Sequence, residues 1–261
     1  MEPLWDRAGR APTNEELAQM SLLQHLEELR FRLLRAIAGF VVAFFPCWFF
    51  VDRIFEFLQR PIIKLLPKGK RLAYTSLTGP FVLDFKVAAL AALFIAAPFV
   101  LYQFWRFVAP GLYQHERRYL APFLIFGSFF FLAGGAFAYY VAFPFTAAFL
   151  LEVGKNFEPI LTIDSYFGLL MTIILGLGLM FELPVVIFVL AALGLVTPGF
   201  LMRHFRYAVV IIFIISAIIT PTSDVLNLCI FAVPAIGLYL LGVAAAALVP
   251  RNRKKVEDQT G

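Results

Sequence analysis

The chain has 261 residues, 61% of them hydrophobic and only 15% charged, with 31 phenylalanines and a formal net charge of +5. A soluble domain is about half apolar and about a quarter charged, and one water-soluble core of this size could not hide so much aromatic surface. Composition therefore excludes a soluble enzyme, a disordered chain and a secreted disulfide scaffold, and the mean hydropathy of +0.85 makes lipid the solvent for much of the surface.

Residues 1–20 are polar and acid-bearing, with neither an apolar signal region nor a transit-peptide pattern, which predicts an uncleaved cytoplasmic tail. A helical segment, SLLQHLEELRFRLLRA, follows, with Ser21 and Gln24 spaced as a capping box. Leu22, Leu26, Leu29 and Leu33 form one stripe, and His25, Glu28, Arg32 and Arg35 a polar one beside it. Two readings remain open for that polar stripe: an interfacial helix with internal Glu–Arg pairs, or a recognition surface.

Six apolar stretches are expected to cross the bilayer, at about 32–51, 85–107, 119–143, 165–196, 207–219 and 225–249. The second is bent by Pro98, and the fourth is read as one long tilted helix bent near Pro184. The connection Asp52–Pro80 contains IFEFLQRPIIKLL, of roughly helical period, which predicts short helices on the outer face broken at Pro61 and Pro67. With six spans, fourteen Lys and Arg residues lie on the side of both termini and seven on the other, with Lys86 at the edge of span two. That bias places both termini in the cytoplasm. The expected fold is an all-α polytopic membrane protein. It has one six-span domain over residues 21–249, a polar tail at 1–20 and a basic, polar tail at 250–261.

The basic balance then reports orientation rather than nucleic acid, since no basic run is interleaved with stacking aromatics. Cys47 and Cys229 lie in apolar stretches without ligand spacing, and His25, His115 and His204 are scattered. Neither a metal nor a cofactor is expected.

The loop WRFVAPGLYQHERRYLAP, after the second span, carries Glu116 beside Arg117 and Arg118. It reads either as a snorkelling anchor or as a carboxylate held at the surface to receive a cation, a task for which the planar fork of arginine is the natural ligand. Glu182 is the one ionisable group of the long fourth stretch. An acid at mid-bilayer costs at least about 2.5 kcal/mol. It must face protein, water or a partner, either as a helix–helix hydrogen bond or as a functional polar pocket.

Five segments in order resemble the TatC family, the core of the twin-arginine protein translocase. They are HLEELRFRL at His25–Leu33, RPIIKLLP at Arg60–Pro67, FVAPGLYQHERR at Phe107–Arg118, FAYYVAFP at Phe137–Pro144 and FELPV at Phe181–Val185. The resemblance runs from about Leu22 to Leu248. It implies a receptor and core subunit, not an enzyme, in the inner membrane of a prokaryote. Such a subunit binds twin-arginine signal peptides of folded cargo and assembles with TatA- and TatB-type single-span partners and other TatC copies. Export would draw on the proton-motive force. It also implies a concave face with short fifth and sixth spans. By the same resemblance, Glu28, Arg30, Phe107 and Glu116 form the signal-peptide surface. Glu182 is the intramembrane acid that meets partners, and Pro61 and Asp224 serve assembly or transport. The chain departs from the pattern at Thr222-Ser223, where many relatives have one proline. It departs again at Leu228, where Gln is common, and at Leu240, where Glu is frequent. A different class of function, a proton-coupled small-molecule transporter, would rest on Glu182 alone, and no internal repeat supports it. An intramembrane enzyme would need a second catalytic group near Glu182, and none stands at helical spacing.

Overall fold

The computed structural model describes residues 14–65, 72–108, 120–220, 222 and 224–248, with side chains from residue 27 onward except 105, 108 and 120–123. Ordered structure among them is helical apart from one isolated bridge, Ala73 to Thr162. That bridge ties Ala73 to the segment around Thr162: Ala73 N–H donates to Leu161 O and Ile163 N–H to Ala73 O.

Helix α1 spans Asn14–Phe49. It passes without interruption through Ser21, so the Ser21–Gln24 pair does not start a helix. The sequence Thr13-Asn14-Glu15-Glu16 repeats the capping pattern at the helix's own first turn. Among the described side chains of α1 only Cys47 is buried, and the helix packs chiefly along α3 (Gly79–Val108). Small residues make that packing possible. Ala88 and Ala92 of α3 meet Cys47, Phe44 and Trp48, and a Cβ added to Gly39 would lie 2.3 Å from Phe99 Cδ1.

Helix α2 (Val51–Ile63) crosses the ends of α3 and α5. It continues two residues beyond Pro61 rather than stopping there. Proline removes only one ladder bond so near a C-terminus, and a side chain from another helix takes over the freed carbonyl, as described below.

Helix α4 (Leu120–Phe137) passes through a π turn, Ala138–Ala142, into α5 (Phe143–Val153). Phe143 N–H reaches back five residues to Ala138 O. Pro144 has no N–H to offer, so an α-helical register would leave the carbonyl of Tyr140 orphaned at this point.

The long apolar stretch after Thr162 divides into α6 (Ile163–Met180) and α7 (Leu183–Ala192). Thr162 caps the first, accepting a bond from Ser165 N–H. The break falls at Phe181 and Glu182, two residues ahead of Pro184, because Pro184 cannot donate to Met180 O. Helix α7 ends in a Schellman turn. Leu195 N–H bonds Leu190 O, Gly194 N–H bonds Ala191 O, and Gly194 takes φ +73°, which a Cβ would strain. Helices α8 (Pro198–Arg203), α9 (Phe205–Ile219) and α10 (Val225–Ala247) complete the chain.

Among the described residues, five stretches are long and apolar enough to cross a membrane: Glu27–Phe49, Gly79–Phe104, Leu124–Val153, Ile163–Ala192 and Val225–Ala247. Helix α9, with 15 residues, is shorter. Its length of about 22 Å falls below the hydrocarbon thickness of about 30 Å. The core lies where α3, the π turn, α6 and α10 meet, around Val87, Phe143, Phe167, Leu170, Ile173, Leu177 and Phe231. Large apolar side chains such as Phe49, Ile95, Ile125 and Ile218 point outward, as expected where lipid is the solvent.

Candidate functional site: a helix pair, a buried acid and a capped helix

Helix pairing fixes which candidate residues share an end of the molecule. Gly39 of α1 sits against Phe99 of α3, and Leu101 of α3 against Gly127 of α4. From those crossings Glu28 lies about 16 Å back along α1 and Phe107 about 12 Å forward along α3. Both therefore stand at about the level where α3 ends at Val108 and α4 begins at Leu120, with α1 continuing beyond Glu28 to Asn14. Glu116 falls between α3 and α4 in sequence and lies outside the described residues.

Glu28 and Arg32 pair within one turn of α1. Arg32 Nε and Nη2 both donate to Glu28 Oε1, the first at 2.9 Å. The side chains are 33% and 13% exposed respectively. Arg30 is exposed and Phe107 half-buried. The internal Glu–Arg pair read from the sequence thus exists, and it leaves a partly accessible carboxylate where the apolar stretch Glu27–Phe49 of α1 begins.

Glu182 occupies the joint between α6 and α7 and is 8% exposed. A Cβ on Gly127 would lie 3.3 Å from Glu182 Oε2, so the carboxyl rests on the bare backbone of α4. Oε1 has no hydrogen-bond partner among the described residues. Gln103 Oε1 and Ser128 Oγ are likewise buried without partners. They belong to residues adjacent, or nearly so, to the Leu101–Gly127 crossing. The helix–helix hydrogen bond considered from the sequence is not made at Oε1. Glu182 Oε1 is thus a buried acceptor whose bonding capacity is unused among the described residues. Gln103 and Ser128 were not singled out in the sequence, although each is an uncharged polar residue inside an apolar stretch.

At the other end, Asp224 caps α10. Its Oδ1 accepts from Asn227 N–H and its Oδ2 from Asn227 Nδ2, each at 2.8 Å. Asn227, fully buried, also donates to Thr222 Oγ1 at 3.1 Å and accepts from Thr146 Oγ1 at 2.9 Å. Desolvation pushes the Asp224 carboxyl up, but the bonds from the Asn227 backbone and from the Thr222 and Asn227 side chains outweigh it. The group is held below the ordinary carboxylate range. Thr146 and Asn227 are the residues that sequence reasoning missed here, since nothing local links α5 to α10.

Pro61 is half-buried in α2. The Tyr139 hydroxyl, from the π turn, donates to Phe57 O, the carbonyl that Pro61 cannot serve, and Tyr166 OH donates to Leu58 O at 2.7 Å. Among the described residues no three His, Cys, Asp or Glu side chains gather as metal ligands.

Residues 24–234 match the model of the family described as Sec-independent protein translocase protein (TatC). The TatC protein of Koribacter versatilis is 46% identical over 258 residues, covering 97% of this chain and 95% of that one. The Helicobacter pylori J99 and Aquifex aeolicus TatC proteins are 41% and 35% identical, covering 91% of this chain in both cases and 93% and 99% of theirs. Two crystal structures of the twin-arginine translocase receptor TatC, the second in DDM, superpose with TM-scores of 0.74 and 0.76 at 35% identity. They cover 87% and 85% of this chain and 100% and 99% of theirs. The chain belongs to the TatC family, as a multi-pass membrane component of the Sec-independent protein translocase rather than a classical enzyme.

Proposed function

We propose that the protein is the receptor and core subunit of a twin-arginine translocase in the inner membrane of a prokaryote. Six spans over residues 21–249, with α9 as the short fifth, leave both tails in the cytoplasm, in keeping with the charge bias. Signal peptides with two consecutive arginines bind at the cytoplasmic end, where Glu28 and Glu116 receive the two guanidinium groups. Phe107 offers an apolar contact beside them, and Arg30 limits attraction of unrelated cations.

The observation that carries this reading is that Glu28 lies at the level of α1 where α3 comes to its end near Phe107; in sequence, Glu116 follows before α4 begins at Leu120. Two carboxylates on separate segments at one end of a helix pair complement a pair of adjacent arginines. Because Arg32 already donates to Glu28, an incoming guanidinium must share or displace that bond. This favours a planar bidentate ligand over a lysine.

Glu182 is the natural meeting point for single-span TatA- and TatB-type partners. A polar group entering from a partner helix satisfies an acceptor that is otherwise orphaned. Occupancy of the peptide site must favour a state that recruits partners for the ligand to have any effect on assembly. Pro61 and Asp224 hold the outer face, where further TatC copies are expected to assemble. Translocation of folded cargo draws on the proton-motive force.

The test is fluorescence anisotropy of a labelled Arg-Arg signal peptide with the detergent-purified chain. Glu28→Ala and Glu116→Ala each remove a charge-assisted bond of about 1.5–3 kcal/mol, a loss of roughly tenfold or more in affinity. A Lys-Lys peptide binds more weakly than the Arg-Arg peptide to the unmodified chain. Unchanged affinity in both variants would sink the site assignment.

A further inference from the structure

A cavity of about 290 Å³ opens at the molecular surface between α2, α3, the π turn and α6. Its lining is apolar and includes Phe57 of α2, Phe94 of α3, Leu132 and Ala136 of α4, Tyr139 of the π turn and Ile174 of α6. The π turn lines it with Tyr139 and Tyr140. Its wider winding moves Tyr139 under α2, where the ring stacks on Phe57 at 4.6 Å and the hydroxyl is spent on Phe57 O. The cavity is also deep. Tyr166 meets the level of α2 through its bond to Leu58 O, and Ile174 lies two turns further along α6, about 12 Å away.

One cation stands beside Phe57. Arg60 Cζ lies 5.8 Å from the centroid of the Phe57 ring. Arg60 is exposed, and among the described residues it forms no ion pair, the two pairs there being Glu28–Arg32 and Glu152–Lys155. A transmembrane helix is the wrong occupant. With side chains it is about 10 Å across, so 12 Å of its length displaces several times the volume available. A narrow apolar slot headed by an arginine complements a flexible hydrocarbon chain joined to an anion.

We propose that this slot holds one acyl chain of an anionic phospholipid whose phosphate rests on Arg60. The lipid fills a gap whose walls would otherwise lack dispersion partners, and it fastens α2 to the third membrane-crossing stretch.

The test uses the full chain in mild detergent with two photoactivatable lipids, phosphatidylglycerol and phosphatidylcholine, each with a diazirine in one acyl chain. Peptide mass spectrometry maps the adducts. Phosphatidylglycerol is expected to label residues within 54–58, 90–94 or 132–140. Arg60→Gln lowers that labelling about fivefold, the value of one basic contact to an anionic headgroup, to the level given by phosphatidylcholine. Arg60→Lys keeps most of the labelling, which separates loss of charge from loss of fold. Ala136→Phe, at the exposed mouth, lowers labelling by both lipids. Adducts confined to other segments overturn the proposal, as does equal labelling by the two lipids, indifference to Arg60→Gln, failure of Arg60→Lys to restore labelling, or indifference to Ala136→Phe.

Discussion

The hydroxyl of Tyr139 donates to the carbonyl oxygen that Pro61 leaves without a helical donor. The two residues are far apart in sequence, and each accounts for the other. Pro61 can sit inside α2 because Tyr139 satisfies Phe57 O, and Tyr139 reaches that oxygen because the π turn aims it there. Tyr139→Phe should cost about 1–3 kcal/mol, the penalty of an orphaned acceptor. Pro61→Ala restores a backbone donor, so Tyr139→Phe should cost much less in that background. Thermal unfolding of the four proteins in detergent measures the coupling, and equal costs in both backgrounds would show that the Tyr139 hydroxyl does not stand in for the donor missing at Pro61.

The α1–α3 crossing is set by the fit of Phe99 over Gly39. Gly39→Ala forces the ring aside and should destabilise the protein by about 1–3 kcal/mol, as overpacking does. Adding Phe99→Leu should recover part of the loss. If Gly39→Ala alone unfolds at the wild-type temperature, the close approach has no energetic weight.

Glu182 is expected to trade stability for function. Its Oε1 is buried and unsatisfied, so Glu182→Leu, which removes the polar group at similar volume, should raise stability by about 1–3 kcal/mol. The same variant should lose export of a reporter carrying a twin-arginine signal. A rise in unfolding temperature with intact export would separate the acid from transport, and a fall would place a bonding partner in the site.

At the α10 cap the sign of the pH effect follows from the direction of the Asp224 shift. Its folded pKa is lowered relative to an unfolded value of about 3.9. The stabilisation is therefore complete above that value and is lost as pH falls through the folded pKa. Asp224→Asn should unfold below the wild-type temperature at neutral pH, and the difference should close below about pH 4. Thr146→Val removes the donor to buried Asn227 and should destabilise by about 1–3 kcal/mol at either pH. A pH-independent Asp224→Asn difference would contradict the hydrogen-bonded carboxylate.

Some of this is legible along the chain because it is local. Apolar runs of about 20 residues announce membrane-crossing helices, and Pro184 announces a break near Glu182. The i,i+4 spacing of Glu28 and Arg32 announces their pair. Pro61 misled for the same reason: sequence records the lost N–H but not a distant hydroxyl that replaces it. Ser21 and Gln24 misled because capping residues also occur inside helices, where the backbone has already been satisfied.

The sequence by itself determined that this is a helical membrane protein, which segments are apolar enough to lie in lipid, and that Glu182 is an acid set inside one of them. Those properties depend on transfer energies and on bonds within a turn or two. Only the tertiary structure decided that Glu182 lies on the bare backbone of Gly127, that Asn227 joins Thr146 to Asp224, and that Tyr139 completes α2. Each of these pairs residues from different helices, and the approach that brings them together is set by where small side chains and a π turn let two helices meet.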